Sequence, residues 1–113
     1  MRLRRSLALL LLTLAPRITA AQVGSTTDIL TGTVRNAANR PVSNARVEIM
    51  SVESGITRLR TTNEKGQYTL LFPDGGGQYR VTVRAMGFAQ ASVSVIRLSD
   101  EDRLVQDFRL VPT

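Results

Sequence analysis

The chain is 113 residues long, carries 15 Lys and Arg against 9 Asp and Glu, and contains neither histidine nor cysteine. That length supports one small domain. The missing side chains exclude disulfide staples, a Ser-His-Asp triad, a Cys-His pair and a zinc site of ordinary ligands.

Arg2, Arg4 and Arg5 precede an almost continuously apolar run from Leu7 to Ala15, and Pro16 and the small residues Ala20 and Ala21 close the segment. Positive, then apolar, then small is the layout of a secretory signal peptide, so residues 1–21 are read as a removable export segment. Its apolar run is about half of the roughly 20 residues that a membrane-spanning helix needs, and no transmembrane segment is expected in the mature chain. With Arg17, four arginines belong to this segment, which leaves 11 basic residues against 9 acidic ones, a net charge of +2. The remaining arginines are scattered along strand-like runs without interleaved exposed aromatics, the pattern of solvated faces and not of a nucleic-acid interface. Export places the chain in the periplasm, at the outer membrane or outside the cell. Residues 22–28 are polar and small and read as a flexible leader.

From Ile29 onward the pattern is short alternating runs separated by turn residues, which indicates an all-β sandwich. Ile29 to Arg35 puts Leu30 and Val34 on one side. Asn36 to Asn39 is a turn. Ala45, Val47 and Ile49 form the inward row of the next run, and the polar run Thr57 to Thr62 suits a sheet edge. Asn63-Glu64-Lys65-Gly66 is a turn ending on a glycine suited to positive φ. Tyr68, Leu70 and Phe72 share one face, as do Tyr79, Val81, Val83 and Ala85, and Pro73 to Gly77 between them reads as a hairpin turn near the centre of the sandwich. Val93 and Val95 mark another strand. Leu104, Phe108 and Leu110 mark the last, with Gln106 interrupting its inward row so that only the second half should enter the core. About seven strands, no crossover helix and short connections predict antiparallel pairing throughout and two sheets face to face.

Gly32-Thr33-Val34, the Asn39-Arg40-Pro41-Val42 turn, Ala45-x-Val47, Thr62-Asn63-x-x-Gly66-x-Tyr68, Tyr79-x-Val81-x-Val83 and Gly87-Phe88 occur in that order. Together they resemble the carboxypeptidase regulatory-like domain, a transthyretin-like, seven-stranded antiparallel Greek-key β-sandwich, over about Ile29 to Pro112; the domain is bounded at 29–113. Asn39 and Asn44 stand where that family usually has glycine, and asparagine is the next-best residue for positive φ. The resemblance implies a non-catalytic accessory module, of a kind also found at the N-terminus of TonB-dependent outer-membrane receptors and grouped with carbohydrate-binding-like sandwiches.

The residues offer little chemistry. No catalytic residue, metal ligand set or cofactor site is assigned. Ser99-Asp100-Glu101-Asp102 is a local carboxylate concentration without the glycine that a calcium loop needs, and reads as a charged loop. Asp74-Gly75-Gly76-Gly77 precedes a strand where a phosphate loop would precede a helix. Asp74, Gly75 and Gly76 are nonetheless kept as candidate binding residues, because the loop sits at one end of the sandwich. Phe88 is kept with them as the one aromatic of five that strand parity does not turn inward. The expected function is association with a protein partner at the cell envelope, by surface complementarity or by strand addition with Thr57–Thr62 as the edge. The alternatives are a carbohydrate-binding module, which needs an exposed aromatic, and a detached N-terminal extension of a TonB-dependent receptor.

Overall fold

The computed structural model describes residues 27–98 and 103–113; the export segment, most of the leader and Ser99 to Asp102 lie outside the described residues. Eight strands follow one another: β1 (Asp28–Asn36), β2 (Arg46–Ser51), β3 (Thr57–Thr61), β4 (Gln67–Phe72), β5 (Gln78–Arg84), β6 (Ala91–Ile96), β7 (Arg103–Val105) and β8 (Phe108–Leu110). They form two four-stranded sheets, β3-β2-β5-β6 and β4-β1-β7, with β8 also paired to β1. Period-2 alternation decides which residues meet between them. Leu30, Val34, Tyr68, Leu70 and Phe72 of one sheet face Val47, Ile49, Tyr79, Val81 and Val83 of the other, all buried. Each such side chain contributes about 1.5–3 kcal/mol by leaving water. The turn asparagines behave as their chemistry suggests: Asn39 and Asn44 hold φ of 66° and 60°.

The structure departs from the sequence expectation in four places. First, pairing is not antiparallel throughout, because β1 runs antiparallel to β4 and parallel to both β7 and β8. Second, the last expected strand is two strands, and both reach the core: Leu104 is buried as well as Phe108 and Leu110. Between them the Gln106 N–H donates to the Thr31 carbonyl, and Asp107 Oδ1 accepts the Thr33 N–H at 2.8 Å in place of a ladder bond. The Gln106 carbonyl turns inward and accepts from the Tyr68 hydroxyl at 2.5 Å. It occupies the space that a side chain at Gly32 would fill. The inward row is thus continued by a backbone oxygen, a substitution invisible to side-chain periodicity.

Third, Pro73 to Gly77 is not a hairpin turn. It carries the chain from β4 in one sheet to β5 in the other, so Phe72 and Tyr79 meet across the interior with ring centroids 5.2 Å apart. Equal inward parity on two neighbouring runs is compatible with one sheet or two facing sheets, and the glycines permit either route. The Asn63–Gly66 turn likewise passes between sheets, since β3 pairs with β2 while β4 pairs with β1. Fourth, Asp28, read as part of the leader, opens β1 and is fully buried.

Candidate functional site

The end of the sandwich under the Pro73–Gly77 loop is closed by a buried polar cluster. Asp28 projects inward from β1, and its carboxylate accepts hydrogen bonds from the Tyr79 hydroxyl on β5 and from Arg97, whose Nη1 lies 2.5 Å away. One residue from each sheet and one from the segment after β6 therefore meet on a carboxylate with no solvent exposure. The Ser51 hydroxyl donates to the Gly75 carbonyl at 2.5 Å, and the Arg97 N–H donates to the Gly77 carbonyl at 2.7 Å. Burial pushes the Tyr79 phenol well above the ordinary tyrosine range, helped by the hydrogen bond and charge of Asp28 and opposed by the Gly77 backbone and by Arg97. Burial raises Tyr68 as well, with Asp107 adding to it. A phenol raised on folding stabilises the native state below its unfolded pKa, and that contribution is lost as pH climbs toward the folded value. Stability is therefore expected to hold to about pH 10 and to fall above it, where the unfolded chain releases tyrosine protons that the native chain retains. Tyr79→Phe should flatten that alkaline slope in urea titrations, at a cost of about 2 kcal/mol near neutrality from the lost hydrogen bond to the carboxylate.

The candidate binding residues do not come together. Asp74 (φ 56°) and Gly76 (φ 88°) are exposed at the crossover tip. Gly75 is buried against the Tyr79 ring, where a side chain would strike the hydroxyl. Phe88 lies beyond the far end of β5, about 20 Å away at the usual rise per residue. It is half-buried and packed on the core, and Gly87 to Ala89 are pinned to the C-terminal residues by the bonds Ala89 N–H to Val111 and Thr113 N–H to Gly87. Tyr68, Phe72, Tyr79 and Phe108 are buried, so the five aromatics offer no open stacking platform. Ser99 to Asp102 fall outside the described residues; among those described, no group of three potential metal ligands converges and no helix is long and apolar enough to cross a membrane.

A broad groove of about 650 Å³ is lined by Thr31, Thr33, Thr69, Arg60 and Asp107 among others. Its polar groups are largely engaged with one another. The Thr31 hydroxyl donates to the Tyr68 carbonyl and meets the Thr69 hydroxyl, and Asp107 holds the Thr33 N–H.

The sheet edges differ more sharply. An open edge presents unpaired N–H and C=O groups to any extended chain, and stable proteins blunt it with charge, short strands or bulges. The outer strand β3 is an edge, as its polarity suggests, but it is guarded. Arg60 donates to the Leu59 carbonyl at 2.8 Å, and Arg58 lies 5.0 Å over the Phe72 ring at the end of β4. The outer strand β4 is six residues without charge, proline or glycine, and it borders the polar groove beside Arg60 and Thr61. The edge made by β7 and β8 is broken into two three-residue pieces by Gln106 and Asp107. The outer strand β6 has none of these devices: Ala-Ser-Val-Ser-Val-Ile is six residues without charge, proline or glycine. Its register pairs Tyr79 with Val95 and Val81 with Val93, and the Arg97 N–H bonds Gly77. The backbone groups of the odd-numbered residues therefore point at β5, and those of Ser92, Ser94 and Ile96 point out of the sheet. Val93 and Val95 are only half-buried, and a groove of about 300 Å³ opens between β6 and β7, lined by Val95, Ile96, Leu98, Arg103, Leu104 and Val105. Sequence reading located this strand through its valines. Its lack of charge was the available signal, but which strands lie outermost is a property of the topology.

The profile of the carboxypeptidase regulatory-like domain matches residues 29–111. A search of curated proteins by sequence finds no match. Among solved structures, catechol 1,2-dioxygenase from Acinetobacter sp. ADP1 is similar with a TM-score of 0.61 at 15% identity, over 83% of this chain and 55% of that one. The dioxygenase domain of a dioxygenase–carbohydrate-binding protein fusion from Streptomyces sp. SirexAA-E gives a TM-score of 0.61 at 11% identity, over 84% of this chain and 86% of that domain. The Bacillus anthracis TIE protein gives 0.58 at 16%, over 77% of this chain and 17% of that one. The chain spans a little over half the length of the catechol dioxygenases that it matches, 60% and 55% for two of them. At these identities the likeness is one of fold.

Proposed function

The chain belongs to the carboxypeptidase regulatory-like domain family, and from that premise we propose that it is an exported, non-catalytic β-sandwich that docks a protein partner at the cell envelope by strand addition at β6. The observation that carries this reading is the contrast among edges: β4 and β6 are both described outer strands that are unbroken and free of charge, but β6 borders the largely apolar groove at Val95 and Leu98, whereas β4 borders the arginine-bearing β3. Backbone hydrogen bonds to the added strand would supply affinity, and alternate side chains entering the groove beside Val95 and Leu98 would supply selectivity. Export rests on the positive–apolar–small layout of residues 1–21. The absence of histidine and cysteine from the sequence leaves few routes to catalysis. The enclosed aromatics argue against stacking on a sugar ring.

The test is a proline at Ser94. Its N–H points away from β5, so proline there removes an edge donor while sparing the existing ladder. Ser94→Pro should keep the fold, with a melting temperature within a few degrees of the parent, and should release the envelope protein that the full chain retains on an affinity support. Arg58→Glu with Arg60→Glu, on the guarded edge, should leave retention unchanged. Retention undiminished by folded Ser94→Pro would exclude strand addition at β6, and binding to a glycan array without any protein partner would replace the reading altogether.

A further inference from the structure

Resting on β6 as the docking edge, we infer that its partner is an acidic extended segment, apolar at alternate positions and carrying carboxylates on the face that lies beside Ser92 and Ser94. The reason is the position of Arg80. On the outer face of this sheet Arg84 is paired with Glu48 at 2.8 Å and also donates to Gln90. Arg80 stands on β5, one strand in from the edge, with Ser94 as its partner across the ladder. Its side chain does not lie back toward β2. It reaches outward across β6, where Nη1 donates to the Ser92 hydroxyl at 3.3 Å. Arg80 has no carboxylate partner among the described residues. The guanidinium is thus already carried over the edge strand, beside the row that an incoming chain would occupy about 4.8 Å further out.

A residue paired with Ser92 or Ser94 puts its side chain on the same outer face. A carboxylate there meets Arg80 in a charge-assisted hydrogen bond, whereas a lysine meets a like charge. The neighbouring residues of that segment point to the other face, toward the half-buried Val93 and Val95 and the groove at Leu98 and Val105. Small serines on β6 leave room for both partners. The same edge in a second copy would bring only alanine, serine, valine and isoleucine side chains, and no carboxylate for Arg80.

The experiment uses the full chain and three capped heptapeptides that alternate valine with glutamate, with serine or with lysine, titrated by NMR on the backbone amides of Ser92, Ser94 and Ile96. The glutamate peptide should bind about tenfold more tightly than the serine peptide, and the lysine peptide more weakly than either. Raising the ionic strength to about 0.5 M should narrow the glutamate–serine gap. Arg80→Gln should reduce the glutamate peptide to the affinity of the serine peptide, and Ser94→Pro should abolish binding of all three. Equal binding of glutamate and serine peptides, or a preference that survives Arg80→Gln, overturns the acidic partner while leaving the edge in place. Unchanged binding to folded Ser94→Pro, or binding of none of the peptides, overturns the edge itself. A concentration-dependent dimer that Ser94→Pro dissolves would give the edge to a second copy and overturn the acidic peptide.

Discussion

Gly32→Ala is expected to be among the most destabilising single-methyl changes in this domain, lowering the unfolding free energy by about 3 kcal/mol and the melting temperature by about 12–24 °C. Gly32 sits in the middle of β1 and has no positive φ, so alanine there imposes no backbone strain. The effect comes from contact alone. A β-carbon would overlap the inward-turned Gln106 carbonyl and stand 2.8 Å from the Tyr68 hydroxyl. To admit it, the Gln106–Asp107 segment must withdraw. That breaks the Tyr68–Gln106 hydrogen bond and loosens the bonds of Gln106 to Thr31 and of Asp107 to Thr33. The buried Tyr68 hydroxyl then lacks its acceptor, at a cost of about 1–3 kcal/mol unless the chain relaxes. Gly55→Ala is the matched comparison. Gly55 holds φ of 76° with nothing near its missing side chain, so alanine there carries only the left-handed penalty of about 1 kcal/mol. Urea titration of both variants separates the two mechanisms. Equal losses would mean that the Gln106 carbonyl does not occupy the Gly32 space in solution.

Arg97→Ala is expected to cost about 3 kcal/mol or more, because it leaves the buried Asp28 carboxylate with the Tyr79 hydroxyl but without its cation. Asp28→Ala should cost less, since Arg97 is about a quarter exposed and can turn to water. Removing both should recover part of the loss, because no charge is then left unpaired in the interior. A double-mutant cycle at neutral pH should return a coupling of about 1–3 kcal/mol. A coupling near zero would mean that the two side chains do not share a desolvated site. The cluster ties β1 to β5 and to the segment after β6, so its loss should also loosen the Pro73–Gly77 crossover, read as faster amide exchange at Gly75 and Gly77.

Much of the fold was legible in the chain because each strand needs only its own neighbours to reveal its faces. The alternations Tyr68-Leu70-Phe72 and Tyr79-Val81-Val83 identified inward rows that the structure places in the core. The polarity of Thr57 to Thr62 marked β3 as an edge, and the structure places it there. The pairing partners were not legible in the same way. Parity is the same whether β4 and β5 lie side by side or face to face, and it is the Asp74–Gly77 crossover that chooses. The parallel run of β7 and β8 beside β1 depends on a chain that returns from the opposite sheet, a contact separated by more than 70 residues in sequence.

The candidate site followed the same division. Asp74, Gly75, Gly76 and Phe88 were singled out by residue type, which measures what a position can do in isolation. Their separation at opposite ends of β5 is a matter of geometry. Asp28 looked like a leader residue because it follows a polar stretch, and nothing local indicates that Arg97 and Tyr79 converge on it. By itself the sequence determined strand faces, turn positions, the all-β class and the lack of histidine and cysteine chemistry, because periodicity and composition are local quantities. Only the tertiary structure decided which strands end each sheet, where Asp28 lies and over which edge Arg80 reaches. Those depend on long-range pairing, whose free energy comes from contacts between residues that no sequence window contains together.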